Sequence, residues 1–207
     1  IVEPTVVPGN SQLVKQTLND LTAHVNGSII MTSEQLKEAK SLLYFELDVA
    51  AAQNALSELK VFLNTYEAQY DALFKSEDRV PLSDLDLVAQ TVFFVKQWML
   101  DNLYVGGDLQ SLEGFSFEEA SVWPGVPKVD ALRTTTSNPA NLQINGTYNK
   151  TPGLQENGSE HAYRMTGYYA APGEIVSLTF PEEVLGKNIR VLVGVHFWNT
   201  YYVRPYN

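Results

Sequence analysis

The sequence predicts an α+β protein in two parts. An antiparallel helical bundle is expected over residues 1–108, and a β-sandwich-like module, incomplete as it stands, over residues 109–207. Two observations carry this. Between Gly27 and Pro81 neither Gly nor Pro occurs, and apolar residues recur at helical spacing. From Leu109 onward Gly and Pro become frequent, and short runs of β-type residues alternate with turn signals.

The first helix is expected to start at Asn10-Ser11, an N-cap pair. Val14, Leu18, Leu21 and Val25 then share one stripe, and Asn26-Gly27 marks the end. Thr32 and Gln35 match a capping box, in which each side chain satisfies the other's free backbone N–H. The long span that follows holds one helix or two, with a break near residues 45–48 where the apolar phase drifts. Pro81 stops the chain, and Ser83-x-x-Asp86 is expected to open the next helix. Its seam is Leu85, Val88, Val92, Val95 and Met99. Trp98 beside Phe93 and Phe94 hints at a second buried face, a contact with the other domain.

In the second half the strand candidates are residues 128–135, 142–148, 162–170, 174–180 and 189–195. The last alternates cleanly, with β-branched residues at every odd position, so one of its faces should be buried. Pro172-Gly173 is expected at the centre of a type II turn, because Pro presets φ and Gly accepts a positive φ at the next position. The change of pattern between residues 106 and 127 marks the domain boundary.

Composition narrows the function. The formal net charge is -10, which would repel nucleic acid and an anionic membrane surface. A hydrophobic content of 44% is enough for a core and argues against disorder. There is no cysteine, hence no disulfide, thiolate metal site or cysteine nucleophile. No apolar run approaches the roughly 20 residues of a membrane-spanning helix. The chain opens Ile1-Val2-Glu3-Pro4 without Met and closes on an apolar, aromatic stretch, as expected of a fragment.

The stretch T-G-Y-Y-A-A-P-G-E at 166–174, followed by an alternating strand and by I-R-V-L-V-G-V-H at 189–196, resembles the enhancin-like zinc metallopeptidases, metallopeptidase family 60. That family includes bacterial mucinases and secreted immunomodulating metalloproteases. The likeness is looser over 141–147, and the helical half is diffusely similar to the N-terminal helical region of the immunomodulating type. The resemblance implies a bacterial protein, secreted or at the cell surface, whose β-rich module leads into a zinc domain acting on O-glycosylated, mucin-like host proteins. The family's catalysis uses His-Glu-x-x-His, two imidazoles for zinc and a glutamate as base. Here the only histidines are His24, His161 and His196, and none pairs with another at that spacing. No catalytic or metal-ligating residue is therefore assigned. Zinc and the catalytic domain, the expected partner, are placed beyond Asn207.

Other constellations are weak. Ser159, Glu160 and His161 lack a nucleophile elbow. Glu118-Glu119 and Glu182-Glu183 are read as solvated pairs rather than glycosidase acids. Asp84, Asp86 and Asp101 lack a calcium loop, and the sequons at Asn26, Asn145, Asn149 and Asn157 are short chance patterns. The residues singled out for glycan or partner contact are Trp198, Tyr201, Tyr202 and Tyr206, whose rings suit stacking on sugars. Their alternative role is packing against further strands.

Overall fold

A computed structural model describes residues 10–73, 81–104, 109–120, 139–145, 164, 166–171, 173–187 and 189–191. Five α-helices form the body: α1 (Ser11–Val25), α2 (Ser33–Glu46), α3 (Val49–Asn54), α4 (Leu56–Tyr70) and α5 (Leu87–Met99). Short 3-10 turns occupy Leu82–Asp84, Leu109–Leu112 and Glu182–Val184, and α5 runs into a π-helical turn at Leu100–Tyr104.

Local chemistry accounts for most helix ends. The Leu13 N–H donates to Asn10 Oδ1 at 3.1 Å and starts α1. Gly27, at φ +79°, ends it, and the Ser28 N–H reaches back to the Ala23 carbonyl at 2.8 Å. The Thr32–Gln35 capping box is complete, with both reciprocal bonds formed. The expected break falls at Leu47–Asp48, where Asp48 accepts from the Ala51 N–H at 2.7 Å and opens α3. The helix expected from Ser83 begins later. Ser83 lies within a 3-10 turn, and Asp86 is the residue whose carboxylate caps α5, accepting from Ala89 N–H at 2.8 Å. Both residue types can cap, so spacing from Pro81 could not choose between them.

Packing follows the stripes. Helix α1 packs against α2, α3 and α4, and α2 packs against α5. Val14, Leu18 and Leu21 from α1, Leu43 from α2, Leu59, Phe62 and Leu63 from α4, and Val92, Val95 and Met99 from α5 are fully buried in one cluster. Phe94 and Trp98 are half-buried against this same cluster, and Phe94 meets Tyr44 of α2 with ring centroids 5.5 Å apart. Leu112 and Phe115, within the expected boundary zone, belong to the cluster as well.

The α+β expectation is overturned. The described residues are all-α, with no sheet and a single bridge residue, Tyr169. Residues 174–180 keep the alternation that suggested a strand, but Val176, Leu178 and Phe180 stand 44%, 54% and 48% exposed, without a ladder. Alternation states which face a strand would bury. It does not supply the partner strand, which comes from far along the chain. The runs at 128–135 and at 192–195 lie outside the described residues, as do 146–148 and residues 162, 163 and 165; the described part of 162–170 forms no strand beyond the bridge at Tyr169.

Phe62 and Phe45 separate core from surface, being 0% and 77% exposed. Phe62→Ala should cost about 3–5 kcal/mol in urea unfolding, while Phe45→Ala should stay within about 0.5 kcal/mol.

Candidate functional site

The most heavily constrained polar group is Lys96. It sits on the buried face of α5, 5% exposed, on the stripe that also carries Val92 and Val88. Its ammonium contacts Glu67 Oε1 of α4 at 2.5 Å, and Glu119 Oε1 and Oε2 at 2.7 and 2.6 Å. The Phe117 ring lies beneath it, 5.4 Å to the centroid. Each carboxylate also accepts from the backbone. Glu118 N–H donates to Glu67 Oε1 at 3.2 Å, and Leu73 N–H to Glu119 Oε1 at 2.8 Å. A buried charge is tolerated only when paired and hydrogen-bonded, and this one is. Four segments meet here: α4, the chain leaving it, α5 and the strap at 109–120.

The exit from α4 is itself unusual. Asp71 has φ +68° and ψ -166°, a region that glycine favours, and so carries backbone strain. That turn precedes Ala72 and brings Leu73 N–H onto Glu119. The strap is fastened at its other end by Lys60, whose ammonium donates to the Ser111 carbonyl at 2.6 Å and lies over the Phe115 ring at 5.6 Å. Tyr104 and Phe117 pack 6.0 Å apart between the two anchors.

Tyr66 belongs to the same neighbourhood. Burial raises its pKa to about 12, and the negative charges of Asp86, of Tyr70 when ionised, and of Glu119 add to the effect. Burial also raises Tyr104.

Next to the strap sits the turn that carries the sequence resemblance. Glu174 N–H donates to the Ala171 carbonyl at 3.0 Å, and Gly173 has φ +77°. This fits the expected type II turn, although Pro172 lies outside the described residues. The turn docks on the helical body. Gly114 N–H donates to the Gly173 carbonyl at 2.9 Å, and a Cβ at residue 173 would lie 2.9 Å from the Phe115 carbonyl oxygen. Any side chain there must displace the backbone of a core residue.

The residues proposed for chemistry are dispersed. Trp198, Tyr201, Tyr202 and Tyr206 lie outside the described residues, as do Ser159, Glu160, His161 and His196. His24 lines a cleft of about 460 Å³ with Ser33, Tyr70 and Asp86. Met31 N–H donates to His24 Nδ1 at 3.3 Å, so the neutral ring carries its proton on Nε2. The imidazole thus offers a donor to the cleft, and Asp86 is already engaged in capping α5. Asp84 accepts from Ser83 Oγ, and Asp101 from Gln97. Glu182 and Glu183 are exposed on a 3-10 turn. Among the described residues no three His, Asp or Glu side chains are grouped to hold a metal, and no helix is long and apolar enough to cross a membrane.

Glu119 corrects the reading of Glu118-Glu119 as merely solvated, because its side chain is 18% exposed and paired. Glu67 and Lys96 escaped notice altogether. Their signal was present: Lys96 falls four residues after Val92 and Glu67 four after Leu63, so each interrupts an apolar stripe with a charge.

Lys96→Met should cost about 3–5 kcal/mol, since it leaves two buried carboxylates facing each other. Adding Glu67→Gln and Glu119→Gln should recover part of that loss, measured by chemical unfolding. A separate test uses alkali. Tyr66 keeps its proton in the fold up to about pH 12 but loses it near 10 when unfolded. Its contribution is therefore complete below pH 10 and fades as pH rises through 12, by about 3 kcal/mol. Tyr66→Phe should flatten that part of the stability profile, and the wild-type phenolate absorbance should show a late-titrating tyrosine that the variant lacks.

Compared with known proteins, the chain matches no protein-family model, no curated protein and no solved structure.

Proposed function

We propose that this chain is a non-catalytic scaffold of a secreted zinc metallopeptidase resembling the enhancin-like family. In this reading it places a zinc domain relative to O-glycosylated, mucin-like proteins. The sequence likeness at 166–174 and 189–196 is what supports the family in this reading. The observation that carries the scaffold role is the seat of the Gly173 turn on Phe115. A module continuing from that turn would take its position from the helical body and not from a loose linker.

Among the described residues no group fits a zinc site. The sequence has no His-Glu-x-x-His, and the one described histidine, His24, has Nδ1 engaged and its proton on Nε2. The zinc chemistry belongs to another part of such a protein. A second reading, a free-standing module that binds a glycan or a protein, is favoured by the exposure of Tyr44 and Phe45 on α2.

Purified residues 1–207 should leave a mucin-type glycoprotein intact. Protein extended through the following domain should cleave it, and a chelator should abolish the cleavage. In the extended protein Gly173→Val should strain the turn by about 1–3 kcal/mol and reduce cleavage while zinc content stays constant. A reading frame that stops after Asn207, or chelator-sensitive proteolysis by the short chain, would overturn the proposal.

A further inference from the structure

Helix α2 buries the smallest share of its residues among the five α-helices. Of its 14 residues only Ala39 and Leu43 are buried. Phe45 lies two residues beyond Leu43, about 200° around the helix, and so points away from the core. It is 77% exposed, and Tyr44 beside it is 66% exposed, the two rings meeting edge-on at 5.3 Å. Tyr44 also leans on Phe94 of α5, ring centroids 5.5 Å apart, so Phe45 is the ring that the fold itself uses least, and exposed apolar surface of this kind marks interaction sites.

The surroundings give Phe45 a shape and a charge. A groove of about 500 Å³ runs along α2, with Leu42 and Phe45 in it, Leu13 of α1 at its side, and Glu34, Lys37, Glu38 and Glu46 around it. Positions 34, 37, 38, 41, 42 and 45 recur at helical spacing, so the groove follows the helix axis for three turns. Three carboxylates against one ammonium leave the rim negative. Lys37 is spent on Glu34 at 3.8 Å, Glu46 Oε2 accepts from Asn10 N–H at 3.0 Å, and Glu38 has no ion pair among the described residues.

We infer that the α1–α2 groove around Phe45 docks a basic amphipathic helix of a partner protein. The charge selects this occupant over the others. A second copy would bring the same acidic rim on a chain of net charge -10, and an anionic lipid surface or acidic glycan would be repelled likewise. A helix with an apolar stripe for Leu13, Leu42 and Phe45 and with lysines or arginines beside that stripe meets both halves of the groove. The inference does not depend on the metallopeptidase reading, since either a scaffold or a free-standing module would use such a face.

The test is fluorescence anisotropy with a labelled 16-residue helical peptide carrying leucines on one face and lysines flanking them. A twin with the same leucines and glutamate flanks serves as comparison. The lysine peptide should bind, and the glutamate twin should bind at least tenfold more weakly. Phe45→Ser, at an exposed position, should weaken the lysine peptide by about tenfold, the scale of an aromatic anchor. Glu34→Lys with Glu38→Lys should reverse the preference between the twins, and circular dichroism checks that each variant keeps its helices. Binding of the lysine peptide that ignores Phe45→Ser, or equal binding of both twins, overturns the inference. So does absence of binding at millimolar protein. Sedimentation showing a dimer that Phe45→Ser abolishes would assign the face to self-association, and Phe45-dependent binding to phosphatidylserine vesicles would assign it to membranes. Either result overturns the inference too.

Discussion

An ammonium group on the buried face of a helix has to be neutralised from outside that helix, and Lys96 imposes this condition on the rest of the structure. Its own helix brings no carboxylate to it, since the partners are Glu67 on α4 and Glu119 on the strap. The side chains of the three residues are only 7%, 10% and 18% exposed, so water cannot substitute for either partner. Replacing such a group by apolar residues is often neutral, whereas breaking it is not. Its main effect is therefore positional. With Glu119 held, the strap must cross α4 and α5 where Leu112 and Phe115 can enter the core. With Phe115 held, its backbone becomes the surface on which the Gly173 turn rests.

That order of dependence runs from the helices outward, and it matches what the sequence made legible. Helix existence, the caps at Asn10 and Thr32 and the break before Asp48 are encoded within a few residues of where they act. The stripe Val14, Leu18, Leu21 and Val25 is buried throughout because a 3.6-residue period needs no knowledge of the partner helix. The start of α5 was not legible, since Ser83 and Asp86 are both competent caps and tertiary packing chose between them. That residues 174–180 form no sheet was not legible either, because alternation there is a local signal for a long-range event. Lys96 and Glu67 were readable in principle, as charges at core spacing, but a lone charge on a stripe does not announce its partner. Glu119, which completes the group, lies 52 residues after Glu67 and 23 after Lys96.

The candidate site was even less legible. Sequence reasoning looked for catalytic geometry among histidines and acidic pairs and for glycan contact among the aromatic residues after Trp198. Among the described residues His24, Asp86 and Glu119 serve the fold, and Glu182 and Glu183 stand exposed. His24 closes the α1–α2 connection through Met31, Asp86 caps a helix and Glu119 anchors the strap. The reason is general. Residue types suited to chemistry are equally suited to satisfying backbone groups and charges, and a single sequence does not separate the two uses.

The two sides of the helical body differ in a way that bears on what it does. Toward α4, α5 and the strap, polar and aromatic groups are used up by the chain itself: both strap lysines are bonded, and Phe115 and Phe117 stack edge-on at 5.6 Å. Toward the outer face of α2, Phe45 stands 77% exposed with only the edge of Tyr44 against it, and Glu38 has no ion pair among the described residues. A body built only for its own stability would gain by burying Phe45 or replacing it with a polar residue, since an exposed ring contributes little to folding and invites association. The arrangement agrees with the docking role proposed above: one face holds the Gly173 turn, and the face around Phe45 stays exposed. The sign of the charge then limits what that available face can accept. An acidic rim around an aromatic anchor discriminates by repulsion as much as by contact, so selectivity for a cationic partner requires no further specialised residue.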